Sequence, residues 1–219
     1  LLERTGKTPI GYLDSLGMLY PNTTLVHCVH LKEEEIELLA ARGVSVIHCP
    51  ESNLKLASGI APIPDLLING VNLGLGTDGV ASNNDLDLWG EIRTAALIHK
   101  GFSGNPTALK APEVLRMATL GGAKALGLEQ IIGSLEIGKK ADVITVHRDS
   151  PHLTPCYDLM SHLVYAAKSS DVRNVIIDGK LILHEGDLLT INEEQIKDKV
   201  RKIAMEIAQF QPKRSPQWL

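Results

Sequence analysis

Cysteine is scarce in this sequence. Cys28, Cys49 and Cys156 are the three in 219 residues, too few and too scattered for a disulfide framework, which points to a reducing, cytoplasmic setting. Long hydrophobic runs are missing too. None approaches the ~20 apolar residues of a membrane-spanning helix, and no basic segment followed by an apolar stretch marks a signal peptide. Basic residues do not exceed acidic ones, with 22 Lys and Arg against 26 Asp and Glu for a net charge of -4. With no concentrated basic patch, a nucleic-acid partner is not expected. There is no low-complexity tract. At 44% hydrophobic and 22% charged, the composition suits a globular protein with one sizeable core and no membrane partner. An initiating methionine is also missing: the chain opens Leu1-Leu2-Glu3 and is expected to be a piece of a longer protein.

What is present is an alternation. Thr24-Leu25-Val26-His27-Cys28 is a short apolar run. Residues 32–42 then place Glu33, Glu34 and Glu35 early, where acidic side chains suit the helix dipole, with Ile36, Leu39 and Ala40 on one face before Gly43. Val44-Ser45-Val46-Ile47-His48 is a second run, followed by an expected loop from Pro50 to Gly59 and a helix near 62–69. Val71-Asn72-Leu73-Gly74-Leu75 is a third. A polar loop should lead from it into a helix near 86–100, with Leu86, Trp89, Ile92 and Ala96 at helical spacing. Three β-α units predict a parallel sheet with crossover helices. The strands end in His27, His48 and Asp78, on the side where α/β folds build active sites.

Beyond a helical segment near 112–126 the pattern becomes β. Residues 141–146 read as a strand, and two apolar strands, 172–177 and 180–184, flank Asp178-Gly179, a hairpin signal. The tail opens at Asn192 like a capping box. Ile196, Val200, Ile203 and Ile207 then give an amphipathic packing helix to about residue 209.

Two motifs invite over-reading. His27-Cys28 and His48-Cys49 stand 21 residues apart, unlike a structural zinc pattern, in which ligands pair within a few residues; the cysteines are expected to pack as small apolar residues. Gly74-Leu75-Gly76-Thr77-Asp78-Gly79 matches the letters of a dinucleotide fingerprint. That motif must run straight into a helix, here Ala81 to Asp85 read as loop, and a carboxylate among the glycines would repel phosphate. The glycines suit instead a tight turn that exposes Asp78.

Longer stretches resemble a known family. Leu25-Val26-His27-Cys28-Val29, His48-Cys49-Pro50-Glu51-Ser52-Asn53-Leu54-Lys55-Leu56 and Gly76-Thr77-Asp78-Gly79-Val80-Ala81-Ser82-Asn83-Asn84 are similar to the amidohydrolase superfamily, in its cytosine-deaminase-like branch. Gly122 to Gly127, Gly133 to Asp142 and Val175 to Gly179 extend the likeness over nearly the whole chain. The branch includes deaminases of 5′-methylthioadenosine and S-adenosylhomocysteine, which Glu51 to Gly59 and Gly76 to Asn84 resemble most, and triazine chlorohydrolases.

The resemblance implies an α/β fold: the last three strands of a metal-dependent (β/α)8 barrel over residues 1–130, part of a small β-sandwich over 131–190, and a C-terminal helix and tail over 191–219. It implies one divalent metal, zinc first, with iron or manganese as alternatives. Asp78 matches the aspartate metal ligand. His27 matches the histidine that contacts the attacking hydroxide or the leaving group. His48, Asn53 and Ser82 match positions facing substrate, and Cys49 replaces a usual Asn. The implied reaction is hydrolytic deamination of a purine nucleoside, with a triazine, guanine or cytosine as the sister substrate. A metal lowers the pKa of its bound water to about 7, and a carboxylate and a histidine beside it can move the proton.

The His-x-His of the family's first barrel strand is absent, and the His-x-x-Glu of its fifth strand has no counterpart at a strand end: the letters His30-Leu31-Lys32-Glu33 fall where the first expected helix begins. The chain is therefore expected to lack most metal ligands, to be inactive alone, and to assemble either as a homo-oligomer or with a missing N-terminal half. The rival reading is a non-catalytic chain that retains the fold.

Overall fold

The computed structural model describes residues 1–210; positions 211–219 of the expected tail lie outside the described residues. In chain order the elements are α1 (Leu2–Thr5), α2 (Pro9–Ser15), β1 (Thr24–Val26), α3 (Glu33–Arg42), β2 (Ser45–His48), α4 (Pro50–Lys55), α5 (Ile63–Ile68), β3 (Asn72–Leu75), α6 (Val80–Asn83), α7 (Leu88–Ser103), α8 (Ala111–Arg116), α9 (Gly122–Ala125), β4 (Val143–Val146), α10 (Leu159–Tyr165), β5 (Val172–Ile177), β6 (Lys180–His184), β7 (Asp187–Leu188) and α11 (Glu193–Phe210). Among the described residues no helix is long and apolar enough to cross a membrane.

The three β-α units form as expected. β1, β2 and β3 lie parallel in that order, with Val26 beside Ile47 and Ile47 beside Gly74. Their β-branched residues suit strands buried by helices, and Val46, Leu39, Ile63 and Leu66 are all at 0% exposure in the core between. α3 starts where the Lys32 N–H donates to Glu35 Oε2 at 2.8 Å and stops at Gly43, φ 66, a left-handed turn that favours glycine.

Two segments expected as loops are helical. Pro50 opens α4 at its first position, where its fixed φ and missing N–H cost nothing; the Ser and Asn content of this stretch reads as loop. α6 follows Gly79 directly as a single turn, so the objection that no helix follows the glycines fails, while the carboxylate among them remains. The buried face of α7 also differs from the expected one. Asp87 caps the helix by accepting from the Trp89 N–H at 2.9 Å, so Leu86 falls outside it and is 67% exposed. Ile92 and Ala96 face inward as expected, and Glu91, Ala95 and His99 join them.

The segment expected as one helix near 112–126 is broken by a π turn, Met117–Gly121, between α8 and α9. The turn lets the chain lie against β3. A Cβ on Gly121 would collide with the Leu73 carbonyl oxygen, and Asn72 Nδ2 donates to the Gly121 carbonyl and to Ser45 Oγ, both at 3.0 Å.

β4, β5, β6 and β7 form an antiparallel sheet. Asp178 and Gly179, at φ 50 and 76, make the two-residue turn that Asp-Gly favours. Among the described residues it is the one sheet within 131–190. α11 begins as expected, with Asn192 Oδ1 accepting from the Gln195 N–H at 3.0 Å. Its apolar stripe does not pack, however: no residue of the helix is buried. No described element covers that face.

Gly121→Ala should push the π turn off β3 and cost roughly 1–3 kcal/mol, seen as a lower denaturant midpoint. Gly122→Ala is the control, because its Cβ would meet nothing closer than 3.6 Å and should leave the midpoint nearly unchanged.

Candidate active site

The cleft is built where the parallel strands end. His27 follows β1, and its N–H extends the ladder by donating to the Ile47 carbonyl at 3.0 Å. The backbone then turns left-handed at His27 (φ 70) and Cys28 (φ 49), and again past β3 at Asp78 (φ 61). Side-chain-bearing residues seldom hold this conformation, and where they do, the surroundings over-determine it.

Local bonds supply that determination. Asp78 Oδ1 accepts from the Gly79 N–H and Oδ2 from the Ser52 hydroxyl, each at 2.7 Å. These bonds, the Ser52 hydroxyl foremost, hold the carboxyl below its ordinary range and keep it ionised. His27 Nδ1 lies 2.9 Å from Asn53 Oδ1. That oxygen can only accept, so Nδ1 carries the hydrogen, and Nε2 is the ring nitrogen left open, 3.9 Å from Asp78 Oδ2. This is too long for a direct hydrogen bond; the two groups converge on a common point. With Ser82, Ser58 and His30 they line an open cavity of about 440 Å³.

Of the residues expected at the site, His27, Asp78, Asn53 and Ser82 come together in this cavity. His48 does not. It is 1% exposed, because strand alternation turns it with Val46 away from Ile47 and toward α7. There its Nε2 lies 3.1 Å from His99 Nε2, and its Nδ1 is buried without a partner. Burial foremost, then the neighbouring imidazoles, holds the His48 pKa down to about 3; burial and Lys100 hold His99 down to about 4. The cysteines pack as expected: burial raises the Cys28 thiol to about 11 and that of Cys49 to about 12.

The site also uses residues the motif analysis assigned no role. Ser52 and Asn83 lie within the family-like stretches His48 to Leu56 and Gly76 to Asn84. Glu91 and His99 gave no signal, since polar residues on a helix read as its solvent face.

The cleft offers a metal one ionised carboxylate with an imidazole close by. Among the described residues no group of three or more His, Cys, Asp or Glu converges, whereas protein zinc sites take three or four ligands. The donors fit one corner of a metal site and do not complete it.

The sequence from residue 3 to 182 matches the Amidohydrolase family. The chain belongs to that family. Among relatives of this amidohydrolase, a 5-methylthioadenosine/S-adenosylhomocysteine deaminase from Syntrophobacter fumaroxidans is 53% identical over 207 residues, 94% of this chain and 47% of the relative. A 5′-deoxyadenosine deaminase from Methanosarcina acetivorans is 53% identical over 205 residues, with the same two shares. An adenosine deaminase structure from Xanthomonas campestris, with bound zinc, superposes with a TM-score of 0.93 at 44% identity, over 95% of this chain and 47% of that one. A zinc complex of atrazine chlorohydrolase from Arthrobacter aurescens superposes at 0.88 with 31% identity, over 92% of this chain and 45% of that one. The amidohydrolase chain thus spans about half the length of the relatives it matches.

The buried imidazole pair makes acid stability a readout. Both folded pKa values lie below the ordinary 6.5. The unfolded chain therefore binds more protons between about 6.5 and 4, and stability falls as pH falls through that window. Denaturant midpoints across it should drop for the native sequence and drop less for His99→Gln; equal slopes would remove the pair from the account.

Proposed function

We propose that this chain is the C-terminal portion of a metal-dependent barrel hydrolase that releases ammonia from adenine-containing nucleosides. In this reading β1, β2 and β3 are the last three strands of a (β/α)8 barrel within residues 1–130. β4 to β7 belong to a small β-sandwich within 131–190, and α11 opens the C-terminal segment 191–219. The convergence of Asp78 and His27 in one open cavity, at the ends of parallel strands, carries the proposal. The deaminase relatives support the substrate class, and the bound zinc of the Xanthomonas structure supports zinc.

Asp78 is the ligand this chain gives the metal, and the remaining donors come from outside it. When bound, the metal supplies Lewis-acid activation of water at neutral pH. The chain's own residues do the rest. Ser52 and Gly79 keep the Asp78 carboxylate ionised and aimed. Asn53 fixes the His27 ring so that Nε2 faces the reacting centre, where it can hold a proton or stabilise developing charge. Ser82 and Asn53 border the substrate. One water is consumed at the ring carbon bearing the amine, a C–O bond forms, the C–N bond breaks, and ammonia leaves. His48 is not a substrate contact in this reading; its ring supports the sheet end from behind.

The test uses the complete protein loaded with zinc and offered methylthioadenosine, S-adenosylhomocysteine, 5′-deoxyadenosine, adenosine and a chlorotriazine. Ammonia should be released from one or more of the adenine compounds. Asp78→Asn should abolish turnover and lower zinc content. His27→Ala should retain zinc and lose on the order of 10²–10³ in rate. Chloride release without ammonia moves the protein to the chlorohydrolase reading, and full zinc occupancy with no reaction favours a non-catalytic chain.

A further inference from the structure

Glu91, on α7, is 0% exposed. A carboxylate so placed is costly unless its oxygens are bonded, and both are. Oε2 accepts from the Glu51 N–H at 3.1 Å and Oε1 from Asn83 Nδ2 at 2.7 Å. The same Asn83 nitrogen donates to the Thr77 carbonyl at 2.9 Å.

These partners adjoin the site. Glu51 precedes Ser52 and Asn53, which hold Asp78 and His27; Thr77 precedes Asp78. We propose that Glu91 is a positioning residue: a single buried carboxylate that ties α4 to the β3–α6 turn and so sets where Asp78 stands relative to Ser52, Asn53 and His27. The inference rests on the reading of Asp78 and His27 as the working groups of the site.

The arrangement needs two acceptors on one side chain, which glutamate has and glutamine lacks. In Glu91→Gln an amide N–H must face either the Glu51 N–H or the Asn83 amide, and one arm opens. α7 also grips α4 a second time, Thr94 Oγ1 donating to Glu51 Oε1 at 2.7 Å, so α4 stays docked while its register against the β3–α6 turn loosens. Burial, the largest influence, raises the Glu91 pKa to about 7, so the test is run at pH 8, where the group is ionised.

The complete zinc-loaded protein is compared with Glu91→Gln, Asn83→Ala, the double variant and Asp78→Asn, measuring zinc affinity by chelator competition, then kcat and KM. Outer partners of metal ligands typically contribute 10–100-fold in affinity or activity. Glu91→Gln should therefore weaken zinc binding and lower kcat by about 10–100-fold, with KM little moved. Asn83→Ala cuts one arm of the same tie and should act in the same direction, which keeps the test open if Glu91→Gln does not fold. The double variant should lose no more than the worse single variant, since coupled residues are not additive. Unchanged zinc affinity and kcat in Glu91→Gln or Asn83→Ala, while Asp78→Asn destroys both, overturns the positioning role and leaves the site reading standing. Losses that multiply in the double variant also overturn it. If Asp78→Asn itself changes nothing, the site reading fails and the inference fails with it.

Discussion

The hydrogen bond from the Ser52 hydroxyl to Asp78 Oδ2, 2.7 Å long, ties the end of β2 to the end of β3. One residue on, Asn53 ties the same short helix to His27 beyond β1. Parallel strands expose their last carbonyls and side chains on one side of the sheet, but nothing in the ladder fixes how the three ends stand relative to one another. α4 does so. It is short, it starts on a proline, and two successive polar side chains reach left and right to the two groups that do the chemistry. α7 then holds α4 from behind, through the Glu91 carboxylate and through Thr94.

Charge is placed where water reaches or where donors satisfy it, as the Glu51 N–H and Asn83 do for the buried Glu91 carboxylate. Asp78 and His27 sit in an open cleft, and the Asp78 bonds favour its ionised form. Behind them, His48 and His99 share one hydrogen bond and stay uncharged, and the thiols of Cys28 and Cys49 stay protonated. A protonated imidazole behind the sheet would lose its hydration with no counter-charge to replace it, and burial is the foremost cause of both depressed values. The division gives one ionised carboxylate in the cleft, backed by uncharged imidazoles and thiols, which suits a ligand for a metal cation.

Much of this was legible in the residues. The three apolar runs, their parallel order and the Asp-Gly hairpin follow from periodicity and turn chemistry, and the family follows from ordered motifs. The expectation that His27 and Asp78 lie at strand ends holds because each run stops one to three residues before them. The failures have physical reasons. Pro50 and Ser52 read as loop residues although proline opens a helix well. His48 is turned to the rear by alternation within β2, which a strand-end argument ignores. Glu91 and His99 are polar residues facing inward, and helical periodicity alone assigns such residues to solvent. α11 carries the apolar stripe its periodicity implies, and no described element covers it.

The central claim is that Asp78 is a metal ligand in a cleft it shares with His27. Zinc-edge anomalous diffraction from crystals of the complete protein tests it most directly. The account predicts one peak about 2.0–2.2 Å from an Asp78 carboxylate oxygen, the usual distance for zinc and carboxylate, with His27 Nε2 facing the same peak. A zinc peak elsewhere, with Asp78 bonded to Ser52 and Gly79 alone, would contradict it.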